Sequence, residues 1–206
     1  LPPPAGFWGM PKDMLPKLLG HSPDIEKSRA EARQIMEGLG YSAAKPLKIK
    51  VSTRNIPSYR DPAVILIDQF KKIHIDGELE TIDTTVWHAK IQRKDYTVGM
   101  NRTGVGVDDP DVNFYENYHS TSDRNYTGYS NPEVDRLIDL QSAEADIGKR
   151  KKIVWEIETI LAGDAARPMI GYGVANTCWT PQFKGLVLQS NSIFNGWRFE
   201  DVWFDR

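Results

Sequence analysis

At 206 residues, with 40% hydrophobic and 26% charged, the chain has room for one buried core and the make-up of an ordinary globular protein. Its 26 Lys and Arg against 28 Asp and Glu leave a formal charge of −2, which argues against a nucleic-acid binder. No run of about 18 apolar residues offers a membrane span, and a single Cys, Cys178, excludes an internal disulfide and a Cys-based zinc site.

The chain opens on Leu1-Pro2-Pro3-Pro4, with no initiator Met, basic leader or apolar targeting segment. It reads as processed at its start or as a piece of a longer chain, so the missing targeting segment leaves localisation open. Pro11, Pro16, Gly6, Gly9 and Gly20 exclude a long helix or central strand in the first twenty residues. This lead-in is expected to pack through Phe7, Trp8, Met10 and Leu15.

Asp24 can cap a helix over 25–37, with Ile25, Ala32, Ile35, Met36 and Leu39 near one face and Gly38 and Gly40 as the stop. Leu47, Ile49 and Val51 alternate with Lys48, Lys50 and Ser52 and predict a strand. Asp61-Pro62 reads as a helix start, and the apolar run 63–70 predicts a well-buried helix. A strand over 78–82, a helix over 84–91 and a third strand through Tyr96, Val98 and Met100 follow. This alternation predicts an α/β fold with a parallel sheet and right-handed crossovers. Asn131-Pro132 and Asp146 open two further helices, the second reaching Gly163. Segments 169–174, 176–180 and 183–189 read as short strands, and the chain closes on an aromatic-rich stretch with Trp197, Phe199, Trp203 and Phe204.

Few residues fit a reaction. His21, His74, His88 and His119 lack metal-ligand spacing, there is no Gly-x-Ser-x-Gly elbow, and Cys178 reads as a buried structural thiol in a strand. Gly104-Val105-Gly106 and Gly171-Tyr172-Gly173 both lack the third glycine of a dinucleotide fingerprint. Asp108, Asp109 and Asp111 do not match a calcium loop, because Phe114 stands where Gly is needed and Ser120 where Glu is needed. They read as a turn and helix cap or as a ligand contact. An enzyme built on them has no base, nucleophile or metal partner to name. The expectation is therefore a non-enzyme with no catalytic residue, metal or cofactor.

What remains is a binding surface. Ligands of open parallel sheets sit outside the carboxyl ends of the strands. Two polar loops fall there, Thr53-Arg54-Asn55 through Tyr59-Arg60 and Asn101-Arg102-Thr103 through Asp109. The candidate ligand-binding residues are Arg54, Asn55, Asn101, Arg102, Thr103 and Asp108, whose donors suit polar or anionic groups.

The order of segments resembles a known family. DIEKSRAEARQIMEGLGY at 24–41, DDPDVNFYENY at 108–118, NYTGYSNPEVDRLIDLQSAEADIGKRKKIVWEIETIL at 125–161 and NGWRFEDVWFDR at 195–206 are similar, in this order, to ABC-transporter solute-binding proteins of the peptide/nickel class. The resemblance implies a periplasmic-binding-protein-like lobe, an exported periplasmic protein, a peptide or other small-molecule ligand and an ABC permease as partner. It implies a C-terminal fragment whose signal peptide and first lobe lie elsewhere. Residues 1–5 are then a hinge-proximal lead-in, 6–172 the second lobe, and 173–206 a tail of short strands returning to the first lobe. In peptide-binding members, an Asp three residues before an acidic-Pro pair holds the peptide amino group. Here that position is Gly106, Met100 stands near the place of a Trp, and the loop offers Arg102, Thr103 and Asp108 instead. The alternative is a ligand-sensing regulatory domain of the same fold attached to a DNA-binding module.

Overall fold

The structure, a computed structural model, describes residues 6–173, 176–189 and 192–205. The expected hinge-proximal lead-in at 1–5 lies outside them. The chain divides into two compact units. One comprises 19–103 and 123–129, and the other the residues up to Leu18, 104–122 and 130 onward.

The first unit is an α/β layer. Its elements are α1 (Ile25–Gly38), β1 (Leu47–Arg54), α2 (Pro57–Lys71), β2 (Ile75–Ile82), α3 (Thr84–Gln92) and β3 (Val98–Gly99). Asp24 caps α1 by accepting from the Lys27 amide at 3.0 Å. The helix ends where Gly40 takes φ +86°, which lets the Gly40 amide reach the Glu37 carbonyl and the Tyr41 amide the Met36 carbonyl. The sheet order is β2-β1-β3, every pair parallel, with Leu47 opposite Ile75, Arg54 opposite Ile82 and Val51 opposite Val98. The expected βαβ core is present. β2 begins three residues before the expected 78, and β3 is reduced to Val98–Gly99.

Side chains on β1 alternate between faces. Val51 is fully buried on the face that meets α2, where a Cβ on Gly77 would stand 3.0 Å from Ile67 and 3.4 Å from Val51. Trp87 and Ile91 of α3 are buried as well.

Two helix readings need correction. α2 starts at Pro57, not at Asp61-Pro62, and carries Pro62 inside it. Pro57 supplies the pre-set φ of a first helical turn, so Pro62 sits one turn on and withholds the amide that the Ser58 carbonyl would accept. The run 63–70 is not buried all round. Ala63 is buried, whereas Val64 and Ile65 are exposed, because α2 packs by one face only. α1 likewise buries Met36 and leaves Ile25, Ile35 and Leu39 exposed.

The second unit is mainly helical, with α4 (Pro110–Tyr118), α5 (Pro132–Ala143), α6 (Ile147–Gly163), β4 (Phe183–Lys184) and β5 (Trp203–Phe204). Asp109, Asn131 and Asp146 each cap their helix with a side-chain oxygen. Phe114, Val134, Leu137, Ile138, Val154 and Ile157 form the core, joined by Trp8 and Met10 of the lead-in. The Trp155 indole donates to the Trp8 carbonyl at 3.0 Å.

The tail departs from its reading. Among the described residues, 169–173 and 176–180 form no strand, and 183–189 contributes only β4, paired antiparallel with β5 in a sheet of its own. Val174 lies outside the described residues. Cys178 is exposed, not a buried thiol. Met169, Ile170, Trp179, Trp197 and Trp203 are exposed too. Strand propensity alone does not make a strand without a neighbour to pair with.

Candidate ligand-binding site

β1 ends in Ser52, Thr53 and Arg54, and the chain turns there into α2. The Asn55 amide donates to the Ile82 carbonyl at 3.1 Å, which holds the start of the turn on the end of β2. On the other side of β1, the Met100 amide donates to the Ser52 carbonyl at 2.9 Å and fixes where Asn101, Arg102 and Thr103 emerge. Asn55, Arg102 and Thr103 are exposed, and Arg54 and Asn101 half-buried.

The two arginines converge on one ring. Arg54 donates through Nη1 to the Tyr59 hydroxyl at 3.2 Å and through Nε to Thr84 Oγ1 at 3.3 Å. Its guanidinium carbon lies 4.9 Å from the Tyr59 ring centroid, and that of Arg102 lies 5.9 Å from it. A π-face at this range lets two cations approach without a carboxylate between them. Among the described residues neither guanidinium has a carboxylate partner within 4.0 Å. Fixed donors held this way offer bidentate hydrogen bonds to an incoming carboxylate, phosphate or carbonyl oxygen.

Tyr59 falls in the first of the two polar loops but was not among the candidate ligand-binding residues, and Thr84 falls outside both loops. The available signal was Pro57, which puts Tyr59 in the first turn of a helix beginning next to Arg54. Asp108 belongs to the second unit. Its carbonyl accepts from the Trp8 indole at 2.9 Å, and Asp109 after it caps α4 through the Asp111 amide. Among the described residues no three His, Cys, Asp or Glu are grouped to hold a metal ion, and no helix is long and apolar enough to cross a membrane.

A second polar cluster lies further back on β1. The buried Ser52 hydroxyl donates to Glu80 Oε2 at 2.6 Å, and Lys90 Nζ lies 3.3 Å from the same oxygen. The Ser52 hydrogen bond, then Lys90, hold the Glu80 carboxyl below its usual range. A lowered folded-state pKa means this contribution is present above the unfolded value and is lost as pH falls through the folded one. Glu80→Gln is therefore expected to cost about 1 kcal/mol or less at pH 7 and progressively less below pH 4.5. Urea midpoints of both proteins between pH 3 and 7 check this, and a gap that widens on acidification contradicts it.

No family model matches the chain. Among curated proteins it is 24% identical over 168 residues to the oligopeptide-binding protein OppA of Bacillus subtilis (strain 168), over 80% of this chain and 31% of that protein. It is 30% identical over 139 residues to the periplasmic oligopeptide-binding protein OppA of Haemophilus influenzae, over 65% of this chain and 25% of that one. Among solved structures, H. influenzae OppA in complex with the peptide RPPGFSPFR superposes with a TM-score of 0.63 at 25% identity, covering 71% of this chain and 29% of that one. The Escherichia coli murein tripeptide binding protein MppA gives 0.65 at 19% identity, covering 78% and 33%. NikA from Staphylococcus aureus, in complex with Ni(L-His)2, gives 0.60 at 23% identity, covering 67% and 30%.

Part of this chain has the fold of the peptide/nickel class of ABC-transporter solute-binding proteins. The chain spans 31% and 25% of the two curated relatives' length. These relatives are named for binding, none for a reaction or for gene regulation, and the regulatory alternative finds no support among them.

Proposed function

We propose that the chain is one lobe of an exported, periplasmic solute-binding protein for ABC import, and that the loops at the carboxyl ends of β1 and β3 hold one end of an oligopeptide or similar small polar solute. The observation that carries this reading is the likeness to two oligopeptide-binding proteins over most of the chain. Arg54 and Arg102 beside Tyr59 support it from the chemical side. The rest of the relatives' length leaves room for a first lobe that closes over the solute, and an ABC permease receives it. No nucleic acid takes part.

In this reading Arg54 and Arg102 grip carboxylate or carbonyl oxygens, and Asn55, Asn101 and Thr103 supply neutral hydrogen bonds. Asp108 joins them on chain order alone. Gly106 has no side chain to meet a peptide amine, so the solute is held by its oxygens. A desolvated arginine–solute contact contributes roughly 1.5–3 kcal/mol. Arg102→Ala, in the protein carrying both lobes, is expected to weaken binding by about tenfold or more in calorimetry against an oligopeptide panel. Unchanged affinity in that variant, together with lost binding in Asp108→Ala, replaces this reading with amine recognition by the carboxylate.

A further inference from the structure

The sheet-bearing unit holds a concavity of about 380 Å³ that the proposed solute site does not use. Lys50 and Ser52 of β1, Glu80 of β2, Lys90 of α3 and residues 94–97 ahead of β3 line it. Lys50, Ser52 and Arg54 share one face of β1, because strand side chains alternate. Lys50 stands four residues before Arg54, or roughly 13 Å along the strand. α3 begins beside Arg54, where Thr84 accepts from it, and runs back to bring Lys90 level with Ser52 and Glu80.

Its charges do not balance. Three ammonium groups, of Lys50, Lys90 and Lys94, line it against the carboxylates of Glu80 and Asp95. Glu80 is already engaged, with Ser52 at 2.6 Å, Lys90 at 3.3 Å and Lys50 at 4.0 Å. Lys90 also stands 3.9 Å from Asp95. Lys94 has no carboxylate within ion-pair distance among the described residues, and its stem runs beside Gly128. Each ammonium carries three donors and no acceptor, so N–H groups outnumber the acceptors present. Ser52 is fully buried and its hydroxyl donates to Glu80, which in turn pairs with Lys90.

From this excess of donors we infer that the concavity is a binding site for an oxyanion, a phosphate or carboxylate group borne on a small polar molecule. Lys94 and Lys50 bind it directly, and Lys90 is held in place by Glu80. The space is larger than one phosphate fills, so the molecule carrying the group occupies the remainder. The site stands independently of the solute site proposed above.

Amide NMR of this chain tests the assignment, with titrations of inorganic phosphate, glucose 6-phosphate and citrate at constant ionic strength and sodium chloride as the control. Ser52 and residues 94–97 are expected to shift and saturate with at least one of these probes, while amides beyond the concavity stay in place. Glucose 6-phosphate binding more tightly than phosphate assigns contacts to the carrier, and citrate alone binding assigns a carboxylate. Lys94→Gln breaks no ion pair and is expected to weaken the binding probe at least threefold. Lys50→Gln is the second variant and is expected to do the same. Shifts no larger than those in chloride, or folded variants that titrate like the parent, overturn the proposal.

Discussion

Replacing Trp87 by alanine is expected to destabilise the sheet-bearing unit by about 3–5 kcal/mol, a large share of the roughly 5–15 kcal/mol that holds a domain folded. Trp87 is fully buried at the middle of α3, and the core on that side of the sheet is small, because Val51 and Ala63 belong to the side that meets α2 and Ile91 is the other buried residue of α3. Such a core has few side chains able to collapse into the space of an indole. The indole Nε1 is buried without a hydrogen-bond partner among the described residues. Trp87→Phe removes that unsatisfied donor along with part of the volume, so its cost is expected to stay near 1–2 kcal/mol. Trp203 is 54% exposed, and Trp203→Ala is expected to fall within about 0.5 kcal/mol. Urea unfolding of the three variants checks the order, and a Trp87→Ala cost below that of Trp203→Ala contradicts the packing described.

The same contrast explains what the sequence made legible. Helix starts are written locally, by a short polar side chain that reaches an amide two or three residues on. Asp24, Asp109, Asn131 and Asp146 all announce themselves and all cap. Alternation in 47–52 likewise suffices for a strand whose neighbours lie within the same unit. Pro57 and Pro62 compete for one helix start, and only the packing of α2 decides between them. Segment 169–173 shows the other limit. Its apolar residues match a strand, but among the described residues no segment pairs with it.

The candidate site was legible by position rather than by contact. A parallel sheet sends its carboxyl-end loops to one edge, which marked Arg54 and Arg102 without any knowledge of what lies between them. Tyr59 was inside the first loop, but its part between the two arginines became visible only once the guanidinium carbons stood 4.9 and 5.9 Å from its ring. The anchoring of Asp108 was less visible still. The indole that holds its carbonyl is Trp8, a hundred residues earlier in the chain, in a proline-rich lead-in whose local pattern predicts no regular element.

Around that anchor lies the second large expected effect. Arg150 of α6 grips Asp109 with both ends of its guanidinium, Nη1 to Oδ2 at 2.9 Å and Nη2 to Oδ1 at 2.6 Å. Its Nε donates to the buried Gln141 at 3.1 Å, and its face lies 4.7 Å from the Trp8 ring centroid. Asp109 meanwhile caps α4 by accepting from the Asp111 amide at 2.9 Å. Asp109→Ala removes the cap, worth about 1 kcal/mol, and leaves Arg150 without a counter-charge at a site where its side chain is 16% exposed. Breaking a fully buried pair costs about 3–5 kcal/mol, and the partial exposure of Asp109 reduces this, so the total is expected near 2–4 kcal/mol. Asp109→Asn keeps an oxygen for the cap and is expected to lose roughly half as much. Arg150→Met keeps the stem against Trp8 and removes the charge. A double-mutant cycle between Asp109→Ala and Arg150→Met is then expected to return a coupling of about 1.5–3 kcal/mol, because once one partner is gone the other has little left to lose. The Trp8 fluorescence environment is expected to change in Arg150→Met, since the cation over its ring is removed. Additive single-variant costs would place the stability of this corner in the apolar packing of Trp8 alone, with the ion pair contributing nothing beyond the cap.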